Sequence, residues 1–364
     1  MVLTFHSKIF FQLIPFKKWK LLTVYQMRLT PTFNMSNDHV ASTVAVIIPF
    51  YNGSKWIERA LASVAEQTMA ANEVFVVNDG SRAEERAALY ELSKKYDFRI
   101  VDKPNGGQGS ARNAGVEAAD SEYICFLDQD DFYLSDHIEI LMHAIPRKDS
   151  RFGFVYGDAI EADGDGNVVR TAMVKELCTS HPKRAIIDLL QEDMFVLPSA
   201  SLVSRKAFLA VGGFDPRFIG YEDDDLFLRI FRKGYTNYFV DRPVYVWCIH
   251  AESASYTIHM SRSRFLYFQK LAEMFPDERD KHRFYFRDCL VPRFGKAFIV
   301  DVIKAARKRS EHRPEIISTL RKYASMVYAN PYVGIMCKMK LWLITLLLSS
   351  ALFNLSAKYY LRDL

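Results

Sequence analysis

From Thr43 onward the chain repeats one unit, a short β-branched run followed by an amphipathic stretch of helical period. Val44-Ala45-Val46-Ile47-Ile48 has no polar face, so as a strand it needs cover on both sides. Lys55 to Glu66 follows, with Trp56, Ile57, Ala60, Leu61 and Val64 on one helical face. Glu73-Val74-Phe75-Val76-Val77, Arg99-Ile100-Val101 and Tyr123-Ile124-Cys125-Phe126-Leu127 read as further strands, with helices over Glu84 to Tyr96 and Ser110 to Ala119 between them. Strands and helices alternating at this length predict a mostly parallel central sheet covered on both faces, an α/β fold. Ligands of such sheets bind beyond the carboxyl ends of the strands. The polar clusters after the first, second and fourth strands, Tyr51-Asn52, Asn78-Asp79-Gly80-Ser81 and Asp128-Gln129-Asp130-Asp131, are therefore expected on one edge.

Composition narrows the class. The chain has 364 residues, 49% hydrophobic and 25% charged, which fits a globular protein and is too polar for a polytopic membrane protein. A net charge of +5 is modest, and much of the excess lies toward the ends, at Lys8, Lys17, Lys18 and Lys20 and at Lys304, Arg307, Lys308 and Arg309. That distribution suits an anionic membrane surface and not a nucleic-acid groove. Five scattered cysteines without C-x-x-C spacing indicate a reducing compartment and no structural zinc.

Four segments follow. Residues 1–42 are a basic, aromatic extension with no acidic residue before Asp38; it reads either as an interfacial helix or as the product of a start codon placed ahead of Met35. Residues 43–260 form the α/β domain, 261–332 a helical extension, and 333–364 a membrane-associated helix. The last rests on the uncharged run Leu341 to Leu355, flanked by Lys338, Lys340 and Lys358 and followed by Tyr359-Tyr360. At about fifteen residues the run is short of the roughly twenty that cross a bilayer, so an interfacial helix, a short span and a buried helix remain open. Asp163-Gly164-Asp165-Gly166-Asn167 is read as a hairpin turn, since no glutamate closes a twelve-residue calcium loop.

The chemistry begins at Asp128-Gln129-Asp130-Asp131, where three carboxylates crowd a strand end. Such a cluster is a solvated, helix-capping turn unless a cation neutralises it. Hard oxygen ligands favour Mg2+ or Mn2+. The cluster is one of six features in order: Val46-Ile47-Ile48-Pro49-Phe50-Tyr51-Asn52, Val76-Val77-Asn78-Asp79-Gly80-Ser81, Gly109-Ser110-Ala111-Arg112-Asn113, Phe126-Leu127-Asp128-Gln129-Asp130-Asp131, Gly212-Gly213-Phe214-Asp215 and Glu222-Asp223-Asp224-Asp225-Leu226. In these the chain resembles the family 2 inverting glycosyltransferases over about residues 43 to 260.

The resemblance implies a GT-A fold, a three-layer α/β/α sandwich with a C-terminal helical extension, and transfer of a sugar from a nucleoside-diphosphate donor, UDP above all, to a hydroxyl acceptor. It implies that Asp79 holds the nucleotide base, with Pro49, Tyr51 and Asn52 as the floor beneath it. Asp130 is the implied metal ligand, and Asp128 serves the metal or the ribose. His250, in an H-x-x-S element, completes the metal shell. Arg112 follows a glycine-rich turn and either faces phosphate or pairs with a sheet-edge acid. Asp223 is the implied general base and Glu222 orients the acceptor, whereas Asp225 is expected to pair with Arg229 one turn later. The terminal anchor points to a lipid-linked oligosaccharide acceptor at the cytoplasmic face of a membrane. A sugar-nucleotide pyrophosphorylase is disfavoured, because Pro49 to Lys55 lacks that class's glycine-rich basic loop. A non-catalytic sugar-nucleotide binder or assembly protein is the other alternative.

Overall fold

All seven side chains of β1, Val44–Phe50, are buried, as a strand without a polar face requires. The computed structural model describes residues 42–146, 148–164, 166–250 and 258–350; the basic N-terminal extension and the tail with Tyr359-Tyr360 lie outside the described residues. After β1 come α1 (Ser54–Ala65), β2 (Glu73–Asp79), α2 (Ala83–Leu92), β3 (Arg99–Lys103), α3 (Gln108–Ala118), β4 (Tyr123–Phe126), β5 (Phe132–Tyr133) and α4 (His137–His143). The second half brings β6 (Phe152–Asp163), β7 (Val168–Arg170), α5 (Met173–Leu177), α6 (Ile186–Leu190), β8 (Ser201–Ser204), α7 (Arg205–Ala210), α8 (Glu222–Arg232) and β9 (Thr236–Ile249). Four long helices close the chain: α9 (Ile258–Met274), α10 (Val291–Arg307), α11 (Arg313–Ala329) and α12 (Ile335–Ser349).

The sheet runs β3-β2-β1-β4-β8-β6-β9-β5, with β7 paired to β6. It is parallel from β3 through β4. Beyond β4 it turns mixed, because β8 is antiparallel to both neighbours while β6 and β9 run parallel. The parallel character expected for the sheet thus holds for its first half. Chain order leaves β1 in one direction toward β2 and in the other toward β4, which makes a topological switch point between β1 and β4.

The helices pack as their apolar faces dictate. Ile57, Ala60, Leu61 and Val64 of α1 are buried, matching the face read from the sequence. Phe126, Phe208 and Phe214 meet at centroid distances of 5.4–5.9 Å and join β4 to the segment before α8. Each fully buried phenylalanine contributes about 1.5–3 kcal/mol. Asp163 and Asn167 close the β6–β7 hairpin, with Asn167 N–H donating to Asp163 Oδ1 at 2.9 Å.

The run that begins at Leu341 starts inside α12, which extends from Ile335. Among the described residues no helix is long and apolar enough to cross a membrane. Leu341 and Leu348 of α12 are buried, yet Ile335, Met336, Met339, Trp342, Leu343, Leu346 and Leu347 are all at least half exposed.

Candidate active site

The switch point puts the ends of β1 and β4 side by side. Tyr51 N–H donates to Gln129 Oε1 at 2.9 Å, and Gln129 Nε2 donates back to the Tyr51 carbonyl at 3.2 Å. A Cβ on Gly53 would lie 2.2 Å from Gln129 Oε1 and would displace the Gln129 amide from Tyr51. Asn52 adopts a left-handed φ of 47° and links the first cluster to the second. Its N–H donates to Ser81 Oγ at 3.0 Å, and its Oδ1 accepts from Arg82 N–H at 3.0 Å. The polar ends of the first, second and fourth strands therefore do meet on one edge. Pro49 is buried beneath them and Tyr51 is 50% exposed.

Asp79 sits at the end of β2, almost wholly buried. Its carboxylate accepts from Lys103 Nζ at 2.5 Å and from the N–H groups of Gly106 and Gly107 at 3.0 and 2.8 Å. The Asp-Gly turn thus pins the glycine-rich loop that opens α3. Gly107, at φ 83°, has the backbone conformation that favours glycine.

Arg112 projects from α3 into the interior and is 1% exposed. One guanidinium nitrogen donates to Asp128 Oδ1 at 2.5 Å and the other to Glu222 Oε1 at 3.1 Å. Of the two roles open to it in the sequence, Arg112 takes the carboxylate pairing. Burial works against its charge, but Asp128 and Glu222 outweigh burial and hold its pKa above the usual arginine value. Gln108 Nε2 also donates to Glu222, and Gly220 N–H donates to its other oxygen at 2.8 Å. Asp128 and Glu222, far apart in sequence, are joined through one buried cation.

Asp130 faces a different partner. Its Oδ2 lies 2.7 Å from His250 Nε2. The antiparallel pairing of β5 with β9, Phe132 opposite Val246, brings the two segments together. Cys248 N–H thus donates to Asp131 Oδ1 at 2.9 Å, and the next residues carry His250 to Asp130. Trp56 stacks on the His250 ring at 4.5 Å, and Arg59 Nη2 donates to the Asp130 carbonyl at 2.6 Å. Burial and the neighbouring Asp128 charge push the Asp130 pKa up, while the His250 contact opposes them. Burial, with Asp130 and Asp128, raises Asp131 more strongly.

A carboxylate oxygen and an imidazole nitrogen in contact fit two positions of a Mn2+ or Mg2+ shell, leaving the rest for phosphate and water oxygens. Asp128, the third expected ligand, pairs through Oδ1 with Arg112. Among the described residues no three His, Cys, Asp or Glu side chains converge as a cluster able to hold a metal ion.

The second acid cluster opens α8. Asp225 pairs with Arg229 at 2.8 Å, the helical-turn pairing expected from the sequence, and also with Lys270 Nζ at 2.5 Å. Asp224 pairs with Arg293 at 2.6 Å. Asp223 is half-buried, and its Oδ1 accepts from Asp224 N–H at 2.9 Å. Burial, then the charges of Glu222 and Asp224, push its pKa well above the carboxylate range. Asp224 is raised to about 6, burial outweighing the Arg293 cation. Tyr221, just before the helix, holds a left-handed φ of 64°, a strained conformation for a bulky residue.

Comparison with known proteins agrees with this architecture. The model of glycosyl transferase family 2 matches residues 45–212. These residues belong to glycosyl transferase family 2. An uncharacterised glycosyltransferase of Rickettsia conorii is 33% identical over 190 residues, 52% of this chain and 31% of that protein. The chondroitin synthase of Pasteurella multocida is 35% identical over 138 residues, 37% of this chain and 14% of that one. The chain thus spans about a third of the length of the first curated relatives it matches. The fold is that of S. aureus TarS 1–349, solved in complex with UDP: TM-score 0.57, 18% identity, covering 83% of this chain and 86% of that one. It is shared by the mannosyltransferase PcManGT from Pyrobaculum calidifontis, solved in complex with GDP-Man and Mn2+: TM-score 0.51, 18% identity, covering 86% of each chain.

Several residues that meet at the candidate site carried no sequence signal of their own. Gln108 and Gln129 are neutral amides inside motifs read for their charges. Trp56 and Arg59 sit on α1, whose periodicity accounted for Trp56 as core. Lys103 ends a strand of unremarkable composition. Arg293 and Lys270 come from helices with no motif, and only the packing of those helices reveals them.

Proposed function

We propose that the domain transfers a glycosyl group, with inversion, from a nucleoside-diphosphate sugar to a hydroxyl acceptor. The observation that carries this reading is Arg112, buried between Asp128 at the nucleotide-side strand end and Glu222 beside Asp223. One cation holds two acidic stations together, as a reaction between a donor and an acceptor requires. UDP is the proposed donor nucleotide, which the UDP complex of TarS supports.

In this reading Asp79 and the ends of β1 and β2 receive the nucleotide, with Pro49, Tyr51 and Asn52 beneath the base. Asp128 is the group nearest the ribose or diphosphate. Asp130 and His250 hold Mn2+ or Mg2+, a role the Mn2+ of the mannosyltransferase complex supports. When bound, the cation would stabilise negative charge on the leaving diphosphate. Asp223 takes the proton from the acceptor hydroxyl as its oxygen bonds to the anomeric carbon and the carbon–diphosphate bond breaks on the opposite side. A carboxylate of raised pKa is a stronger base than an ordinary one and suits that task. Glu222, fixed by Arg112, Gln108 and Gly220, shapes the acceptor side.

We assign the same chain to the cytoplasmic face of a membrane, acting on a lipid-linked glycan. Seven apolar side chains on α12 face outward, and between Ile316 and Ser350 there is no acidic residue while Arg321, Lys322, Lys338 and Lys340 are present. An apolar helix face flanked by cations matches an anionic lipid interface. Co-sedimentation with phosphatidylglycerol vesicles, and not with phosphatidylcholine vesicles, is the expected result; no sedimentation with either overturns this assignment.

The donor reading is tested by calorimetric titration with UDP in Mn2+ and in chelator. Binding that requires metal supports the Asp79–Asp130 site, and absence of binding in both overturns it for UDP. If Asp223→Asn turns over like the parent, Asp223 is not the base, and a non-catalytic role for α8 takes its place.

A further inference from the structure

The C-terminal helices do more than pack against the family 2 domain. Arg293 of α10 lies beyond the matched segment, and its side chain is 5% exposed. It donates to Asp224 Oδ2 at 2.6 Å, to Asp193 Oδ1 at 2.8 Å and to the Leu189 carbonyl at 3.1 Å. Asp224 is the neighbour of Asp223 at the start of α8. Leu189 lies in α6 and Asp193 just past its end, so the contact ties this segment to the start of α8. The guanidinium carbon lies over the rings of Phe294 and Tyr267, 4.9 and 5.7 Å from their centres.

Other groups of the same helices hold the same place. Tyr267 of α9 stacks on the strained Tyr221 at 5.4 Å, and Arg264 Nε donates to the Tyr221 hydroxyl at 3.0 Å. Lys270 grips Asp225 and, at 3.2 Å, Asp215. A left-handed tyrosine persists only where its surroundings fix it. Here the surroundings are α9 and α10.

We infer that Arg293 is a positioning residue for the acceptor half of the reaction, clamping the α6 segment to the first turn of the helix that carries Asp223. The inference rests on Asp223 as the base. The C-terminal helices are then a working part of the acceptor site, while the nucleotide side is held by β1–β4 and α3 without them.

Hydrogen exchange on the full chain tests the clamp independently of any substrate. In Arg293→Met, exchange quickens in residues 186–197 and 220–226 together and is unchanged in residues 49–53 and 104–112. In Arg293→Lys, which keeps a cation, the two acceptor-side segments return most of the way to the parent. Quickening confined to α10, or spread equally over both sides, overturns the clamp.

The catalytic consequence is read as Mn2+-dependent release of UDP from UDP-N-acetylglucosamine, using the parent preparation as reference. Arg293→Met should lose on the order of 10- to 100-fold in kcat, as small misplacements of a catalytic group do, with UDP affinity within about twofold of the parent. Partial recovery in Arg293→Lys separates positioning from general destabilisation. Equal losses in kcat and UDP affinity overturn the positioning role. A parent that releases no UDP speaks against the donor assignment, and the exchange experiment still decides the clamp.

Discussion

The proposed nucleotide side and the proposed acceptor side of this site are held in different ways. On the proposed nucleotide side Asp79 is held by Lys103, Gly106 and Gly107, and Asn52 by Ser81 and Arg82, all close in the chain, while Asp130 meets His250 at the end of β9. Backbone amides do much of the holding, so the geometry is a property of turns. On the acceptor side, the acids of α8 are held by long cations from elsewhere: Arg112 for Glu222, Arg293 for Asp224, Lys270 for Asp225. A turn needs only the right residues in sequence. A cationic clamp needs a second element delivered from a distance, which couples the acceptor side to the packing of the whole chain.

The sharpest way to break the comparison is at Asp223. Asp223→Asn should lower turnover by about 10²- to 10⁴-fold, the contribution of a general base, with UDP affinity unchanged. Asparagine keeps an oxygen that can accept the Asp224 N–H, so the fold survives. A base must be ionised to act, so the parent's kcat/KM should fall as pH drops through a pKa lying above the ordinary carboxylate range. The same shift makes a stability prediction. A folded-state pKa raised above the unfolded value of about 3.9 means that native stability declines as pH rises from there to the folded pKa. Asp223→Asn should therefore melt at a higher temperature than the parent at pH 8, the gap closing toward pH 4.

Arg112→Met would break the one contact common to both sides. It leaves the buried Glu222 and the partly exposed Asp128 without their cation, and a destabilisation of about 3 kcal/mol in urea unfolding is expected. A loss below about 1 kcal/mol would mean that the two acids find other partners.

Asp130→Ala should touch the nucleotide side alone. UDP affinity in Mn2+ is expected to fall about 10- to 100-fold, equivalent to roughly 1.4–2.8 kcal/mol, with no change in chelator and no change in melting pH dependence at Asp223. An equal loss in chelator would remove Asp130 from the metal.

The smallest effect is expected at the outer face of α12. Leu343→Ser with Leu347→Ser removes two exposed leucines and should weaken binding to phosphatidylglycerol vesicles several-fold, by analogy with about 0.8 kcal/mol per buried CH2, while stability changes by less than about 0.5 kcal/mol. If stability drops instead, that face packs on protein.

The difference between the two sides also governs what could be read before the fold was known. The strands β1 to β4, the helix faces between them and the meeting of three strand ends were legible, because a hydrophobic period and a parallel sheet's switch point are local properties extended by one topological rule. Asp225 with Arg229 was legible for the same reason, being one helical turn. The antiparallel turn of the sheet at β8 was not, since Ser201–Ser204 is four residues with no period of its own. Nor was the pairing of Asp128: as a strand-end acid it reads as a ligand, and only the buried approach of Arg112 shows the cation it meets.

The sequence by itself determined the α/β architecture and the motifs of the family 2 segment, because each is written in residues close together in the chain. Tertiary structure decided which acid faces which cation, that His250 meets Asp130 beyond the β5–β9 pairing, and that α9 and α10 reach the first turn of α8. The reason is physical: ion pairs and strand registers between distant segments depend on how elements dock, and no periodicity along one segment encodes the partner that burial will bring to it.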